Sequence, residues 1–157
     1  MARLRAVRRV VAALATLTLA AGCGDSTTGP SPAPLLLTLP AAVEGRYSTC
    51  QTCADPLTVI VTFPVTISDA SGPGGTIATL ETRVMDTSRG VEVARNIRPN
   101  GQVGLSPSSL PAGGQVSIEA GIGFPPPPPR DALTVVATAR LTDGREATAT
   151  APLTVTN

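Results

Sequence analysis

The sequence predicts an all-β protein: an antiparallel sandwich of about seven strands, preceded by an export signal and a tether. Three observations lead there. From Leu35 onward, apolar residues alternate with Thr or Ser, the pattern of half-buried strands, and no helical period of useful length appears. Clusters of Gly, Pro, Asp and Ser separate the alternating runs at the spacing of a small sandwich. Of 157 residues, about 135 remain once the export segment is removed, a one-domain length.

The first element is the signal. Met1–Arg9 is positively charged, Val10–Ala21 is apolar, and small residues close the run, the layout of a secretory signal peptide. As a helix the apolar run would span only about 18 Å, short of a hydrocarbon core of about 30 Å. It leads directly into Leu19-Ala20-Ala21-Gly22-Cys23. Here the chain resembles a bacterial lipoprotein, with small residues before Cys23 matching the lipobox cut by the lipoprotein signal peptidase; Ala20 stands where that family prefers Leu. The resemblance implies residues 1–22 as the leader and Cys23 as the lipidated N-terminus, anchored to a membrane without spanning it. An ordinary secreted protein is the alternative. Gly24, rather than Asp, follows Cys23. In Gram-negative members of the family that favours the outer over the inner membrane of the envelope. Residues 23–34 form the tether, a Pro/Gly/Ser-rich stretch unable to bury enough surface to order itself, with a reach of about 35 Å.

The β domain occupies residues 35–157. Its predicted strands are Leu35–Leu39, Leu57–Ser68, Thr76–Asp86, Val91–Ile97, Gln115–Phe124, Ala132–Leu141 and Arg145–Thr156. In the second, Leu57, Val59, Val61, Phe63, Val65 and Ile67 share one face, and Pro64 falls on the other. A proline there predicts an edge strand or a bulge. The last two strands fix their own turn. A two-residue Asp143-Gly144 turn would pair Leu141 with Glu146 and put the two apolar faces on opposite sides. A three-residue loop, Thr142-Asp143-Gly144 with Gly144 left-handed, instead pairs Ala139 with Ala147, Ala137 with Ala149 and Leu133 with Leu153. The run of strands resembles immunoglobulin-like or fibronectin-type-III-like domains of bacterial surface proteins, although the Trp, the paired cysteines and the Tyr corner of antibody domains are absent.

Composition narrows the chemistry. With no His, a Ser-His-Asp triad, a Cys-His pair and imidazole metal ligation are excluded for this chain alone. Tyr47, Phe63 and Phe124 are the only aromatics, too few for a base-stacking platform. All twelve basic residues are Arg, four of them in the first nine positions, which leaves the exported part a net charge near −3 and no basic patch for nucleic acid. Cys50-Gln51-Thr52-Cys53 has redox or metal spacing, but no helix follows it and no further ligands accompany it. In an oxidising compartment Cys50 and Cys53 read as a local disulfide, with a redox pair or a metal site as alternatives.

Phe124 is followed by five prolines and Arg130, a stiff rod of about 16 Å that reads as a crossover or as a ligand for an aromatic groove. Glu81, Arg83, Glu92, Arg95 and Arg98 read as solvated strand faces. Ser71–Gly75 reads as a strand connection, and Asp69, Asp86 and Asp143 as ordinary turn residues. These features anticipate a lipid-anchored envelope protein with a non-catalytic binding or structural module. Its partners would be the membrane, through Cys23, and an envelope protein; no cofactor, metal or small-molecule substrate is implied. The alternative is a small thiol-disulfide or metal-binding protein using Cys50 and Cys53.

Overall fold

Nine strands make up the fold: β1 (Leu36–Thr38), β2 (Val43–Thr49), β3 (Leu57–Ser68), β4 (Gly75–Asp86), β5 (Val91–Pro99), β6 (Ser109–Leu110), β7 (Gln115–Phe124), β8 (Leu133–Leu141) and β9 (Glu146–Thr156). They are seen in a computed structural model that describes residues 34–49, 57–102, 105–126 and 132–156, all within the unit Ser31–Asn157. Among these residues there is no helix.

β3 is the strand whose alternation is clearest, and it organises one half of the sheet. It pairs antiparallel with β7 over ten consecutive positions, Val59↔Phe124 to Ser68↔Gln115. Its other edge is shared, β2 covering Leu57–Val61 and β1 covering Thr66–Ser68. The other half runs β9-β8-β4-β5, with β6 adding two residues to the start of β4. β2 joins the halves, because Val43–Arg46 pair in parallel with Leu153–Thr156 of β9 while Gly45–Thr49 pair antiparallel with β3. The result is a mixed, mostly antiparallel sheet that does not close.

One hydrophobic cluster fills the interior between the halves. β3 contributes Val59, Val61, Phe63, Val65 and Ile67, and β7 contributes Ile118, Ala120, Ile122 and Phe124. Facing them are Leu80 and Val84 of β4, Val135, Ala137 and Ala139 of β8, and Ala151 and Leu153 of β9. Bulk is matched across the pairs: Phe63 lies opposite Ala120, and the slim Ala137–Ala149 and Ala139–Ala147 pairs make β8 and β9 thin at mid-length. Each fully buried Val, Leu or Ile contributes roughly 1.5–3 kcal/mol relative to exposure.

The β8–β9 hairpin has the predicted register, with Ala139↔Ala147, Ala137↔Ala149 and Leu133↔Leu153, and Gly144 at φ 90°. Three expectations need correction. Among the described residues the strands number nine rather than about seven, because β2 and β6 are not legible in the alternation. The pairing is not wholly antiparallel, since β2 and β9 run side by side. β3 is neither an edge strand nor bulged along β7.

Pro64 is tolerated for a local reason. The carbonyls of Glu119 and Gly121 on β7 point away from β3 and accept bonds from β5, so those residues and their partners Pro64 and Thr62 form pairs that do not bond each other. The missing N–H of Pro64 therefore faces the opposite edge of β3, at residues 62–65, between β2 and β1, where no strand is paired among the described residues.

Candidate functional site

Strand parity turns Thr58, Ile60, Thr62 and Pro64 of β3 outward, with Arg46 beside Ile60 on β2 and Gly123 beside it on β7. Ile60 is 48% exposed, one of four large apolar side chains at the surface of the described residues. It forms a ridge between two hollows, with Ser48 also in both walls. One hollow, of about 580 Å³, opens over the unpaired stretch of β3 and is lined by Pro40, Glu44, Arg46, Tyr47, Thr62 and Pro64 among others. The other, of about 490 Å³, has Thr58, Gly121 and Gly123 along it and Arg95 and Asn96 at its rim. The two glycines keep this side of Ile60 low. An apolar centre with a rim of hydroxyls, an amide and charges of both signs can seat an extended polar segment around one apolar anchor.

Beyond the second hollow, the two ends of the open sheet meet. Asn96 Nδ2 donates to the Gly121 carbonyl at 2.8 Å, and Arg98 donates to the carbonyls of Glu119 at 2.8 Å and Gly121 at 3.0 Å. Arg98 is thus not a solvated face residue, as its alternation implied, but a bridge between β5 and β7. A third hollow of about 330 Å³ lies beside it, between Thr62, Ser106, Glu119 and Gly121.

Electrostatics concentrate in the turns. Asp69 is fully buried and accepts from the Gly74 amide at 2.9 Å and Arg145 Nη1 at 2.8 Å. Arg145 also bonds Asp143 and the Gly74 carbonyl, clasping the β3–β4 connection to the β8–β9 turn. The Arg145 guanidinium holds the Asp69 carboxyl below its ordinary pKa, with the Gly74 amide adding to it against the cost of burial. Asp143 is lowered first by the Arg145 amide and then by its side chain, while Asp69 and Asp143 raise Arg145. Asp86, also buried, is lowered by the Ser88 hydroxyl and by the amides of Arg89 and Ser88. Asp69 and Asp86 are therefore buried structural acids rather than the ordinary turn residues their positions suggested. The sequence carried a signal for Asp69, which continues the inward odd-numbered set of β3; an acid at an inward position requires a buried donor. On the opposite outward face Glu81 pairs with Arg83 and Arg95, as the solvated-face reading expects, and Arg140 pairs with Glu146.

Cys23, Cys50 and Cys53 lie outside the described residues, so the lipidation site and the disulfide are not placed. The strand residues flanking the Cys50–Cys53 segment, Thr49 and Leu57, are direct partners across β2 and β3. Pro125 and Pro126 are described, and residues 127–131 are not. Among the described residues no group of three or more His, Cys, Asp or Glu could hold a metal ion, and no helix is long and apolar enough to cross a membrane.

No protein-family model matches this chain, and no curated protein does. Among solved structures, it is similar to a β-glucuronidase from glycoside hydrolase family 2, at 18% identity and a TM-score of 0.56, over 79% of this chain and 13% of the enzyme. Spo0M, a sporulation control protein from Bacillus subtilis, matches at 11% identity and a TM-score of 0.44, over 79% of this chain and 49% of that one. The likeness is one of fold. The β-glucuronidase match supports a β-sandwich-like architecture, and the chain spans about an eighth of that enzyme's length.

Proposed function

We propose that this chain is a lipid-anchored cell-envelope protein whose immunoglobulin-like sandwich is a non-catalytic binding or structural module. The observation that carries the binding reading is the outward face centred on Ile60, where an exposed apolar side chain stands between two hollows while the interior behind it is filled. The immunoglobulin-like reading draws support from the strand path. β3 and β7 form one ladder and β9-β8-β4-β5 the other, with β6 on β4, and the chain passes between them at β3–β4, β6–β7 and β7–β8. That a comparable fold occurs as a small part of a much larger enzyme fits a module rather than a self-contained catalyst.

Anchoring rests on Cys23 and the lipobox-like run before it. An envelope protein would meet the Ile60 face, held at a distance from the lipid by the tether of residues 23–34. The deciding measurement is the intact mass of protein extracted from membranes, with and without reduction and alkylation. The expected result is an N-terminal, acylated Cys23 and an oxidised Cys50–Cys53 link that resists mild reductant. An unacylated Cys23 removes the anchor, and readily reduced Cys50 and Cys53 bring forward the thiol-disulfide reading.

A further inference from the structure

β5 ends in a tight turn at the surface. Pro99, paired with Thr79 at the end of the β4–β5 ladder, accepts from the Gln102 amide at 3.2 Å, so Asn100 and Gly101 hold the two central positions. The Asn100 amide is tied as well, donating to the Ala78 carbonyl at 2.8 Å. Between these two anchored amides stands one that is not. The Gly101 N–H has no hydrogen-bond partner among the described residues, and both Asn100 and Gly101 are exposed.

The loose amide lies next to an electrophile. Attack of the Gly101 nitrogen on Asn100 Cγ closes a five-membered ring, and two conditions favour it. The nitrogen must give up its proton, which an amide open to water does more readily than one held by a carbonyl. It must also come close to Cγ, which a Cβ on the attacking residue obstructs. Gly101 has none, stands at φ 86°, and has nothing within 4 Å of the place a Cβ would take. Asn96 is the contrary case: it lies within β5, its Nδ2 donates to the Gly121 carbonyl at 2.8 Å, and the β-branched Ile97 follows it.

We propose that Asn100 is a self-modification site, at which the Gly101 nitrogen displaces ammonia from the Asn100 side chain and water then opens the ring.

The bond formed is Gly101 N to Asn100 Cγ, and the bond broken is Asn100 Cγ to Nδ2. The Gly101 proton passes through water to the departing nitrogen, which leaves as ammonia. Water then adds to either ring carbonyl: at Cγ it gives an aspartyl residue, and at the main-chain carbonyl an isoaspartyl one. Water is the only co-reactant. Either product adds a negative charge at the end of β5, and the isoaspartyl product reroutes the main chain between the amides tied to Ala78 and Pro99. Older copies of the chain thus differ from new ones at this turn.

The test incubates the full chain at mildly alkaline pH, folded in detergent buffer and unfolded in guanidinium, and reads each Asn by peptide mass with fragmentation that separates isoaspartyl from aspartyl. The expected folded chain converts Asn100 to both products, releases ammonia in equal amount, and keeps Asn96 intact. Gly101→Ala should lose most of the conversion in guanidinium as well as in buffer, so that comparison holds even if the variant does not fold. The proposal is overturned if Asn100 stays intact in the folded chain, whether or not the guanidinium sample converts. It is equally overturned by aspartyl as the sole product, which direct hydrolysis would give. Conversion of Asn96 as fast as Asn100 in the folded chain, or a Gly101→Ala chain that converts as fast as the wild type, would also overturn it.

Discussion

Gly72 and Gly74 show how few choices the Asp69 clasp leaves. A Cβ at Gly72 would lie 1.9 Å from Asp69 Oδ1, and one at Gly74, where φ is 74°, would meet the Leu110 carbonyl at 2.4 Å. Gly144 is also left-handed but has open space around it. Gly144→Ala should therefore lose only the conformational cost of about 1–2 kcal/mol, and Gly74→Ala distinctly more, read from urea midpoints of the two variants. Asp69→Asn should lower the midpoint more than Asp143→Asn, because Asp69 has no solvent to replace Arg145 whereas Asp143 is half exposed. Equal midpoints for the two variants would contradict this ranking. The parity of Asp69 carried a signal that its reading as an ordinary turn residue passed over; its partner Arg145, seventy-six positions away, carried none, because no local pattern links a turn to a distant strand end.

Among the elements, β8–β9 was readable to the residue and β2 was not read at all. The hairpin is local, so parity and one turn decide it. Deleting Thr142 imposes the two-residue turn and forces one apolar face outward. The expected outcome is loss of the folded circular-dichroism spectrum, and a stable variant with unchanged register would contradict it. β2 escaped notice because Gly45 interrupts its apolar alternation. That glycine is where β2 presses on β3, a Cβ there coming within 3.0 Å of both Val59 and Val61. β4 hid a similar irregularity: Ile77 and Leu80, three apart, both reach the core because the pairing with β8 shifts between Ile77 and Thr79. Local patterns thus showed where strands run, while close approaches and bulges were settled by neighbours distant in sequence.

At the scale of the molecule, stability should be governed by acid rather than by neutral titration. Asp69, Asp86 and Asp143 all have folded pKa values below their ordinary ones, and the chain has no His. Such carboxyls contribute fully above their unfolded pKa, about pH 4, and the contribution is lost as pH falls through the lower folded values. Urea midpoints should thus change little from pH 7 to 5 and fall below about pH 4. A fall already complete at pH 5 would contradict the assignment. Core and surface should separate as sharply: Leu80→Ala is expected to cost about 2–5 kcal/mol and Ile60→Ala at most about 0.5 kcal/mol. That difference makes Ile60→Ala a usable probe of binding at the outward face without loss of the fold. The all-β class was legible from alternation throughout; the strand path was not, because the link from β2 to β9 joins segments from opposite ends of the domain.

That link also sets an order of events. Of the described strands, β2 lies early in the domain, yet its parallel partner is β9, far along the chain, with Val43 meeting Leu153 and Arg46 meeting Thr156. Until β9 is made, β8 lacks its antiparallel mate and β2 lacks the strand that joins it to the other half. Closing so long a loop is entropically expensive and slow, and during that interval the apolar faces of both strands are open to other chains. Truncation within β9 should therefore act on the whole sheet at once, because β9 holds both halves together.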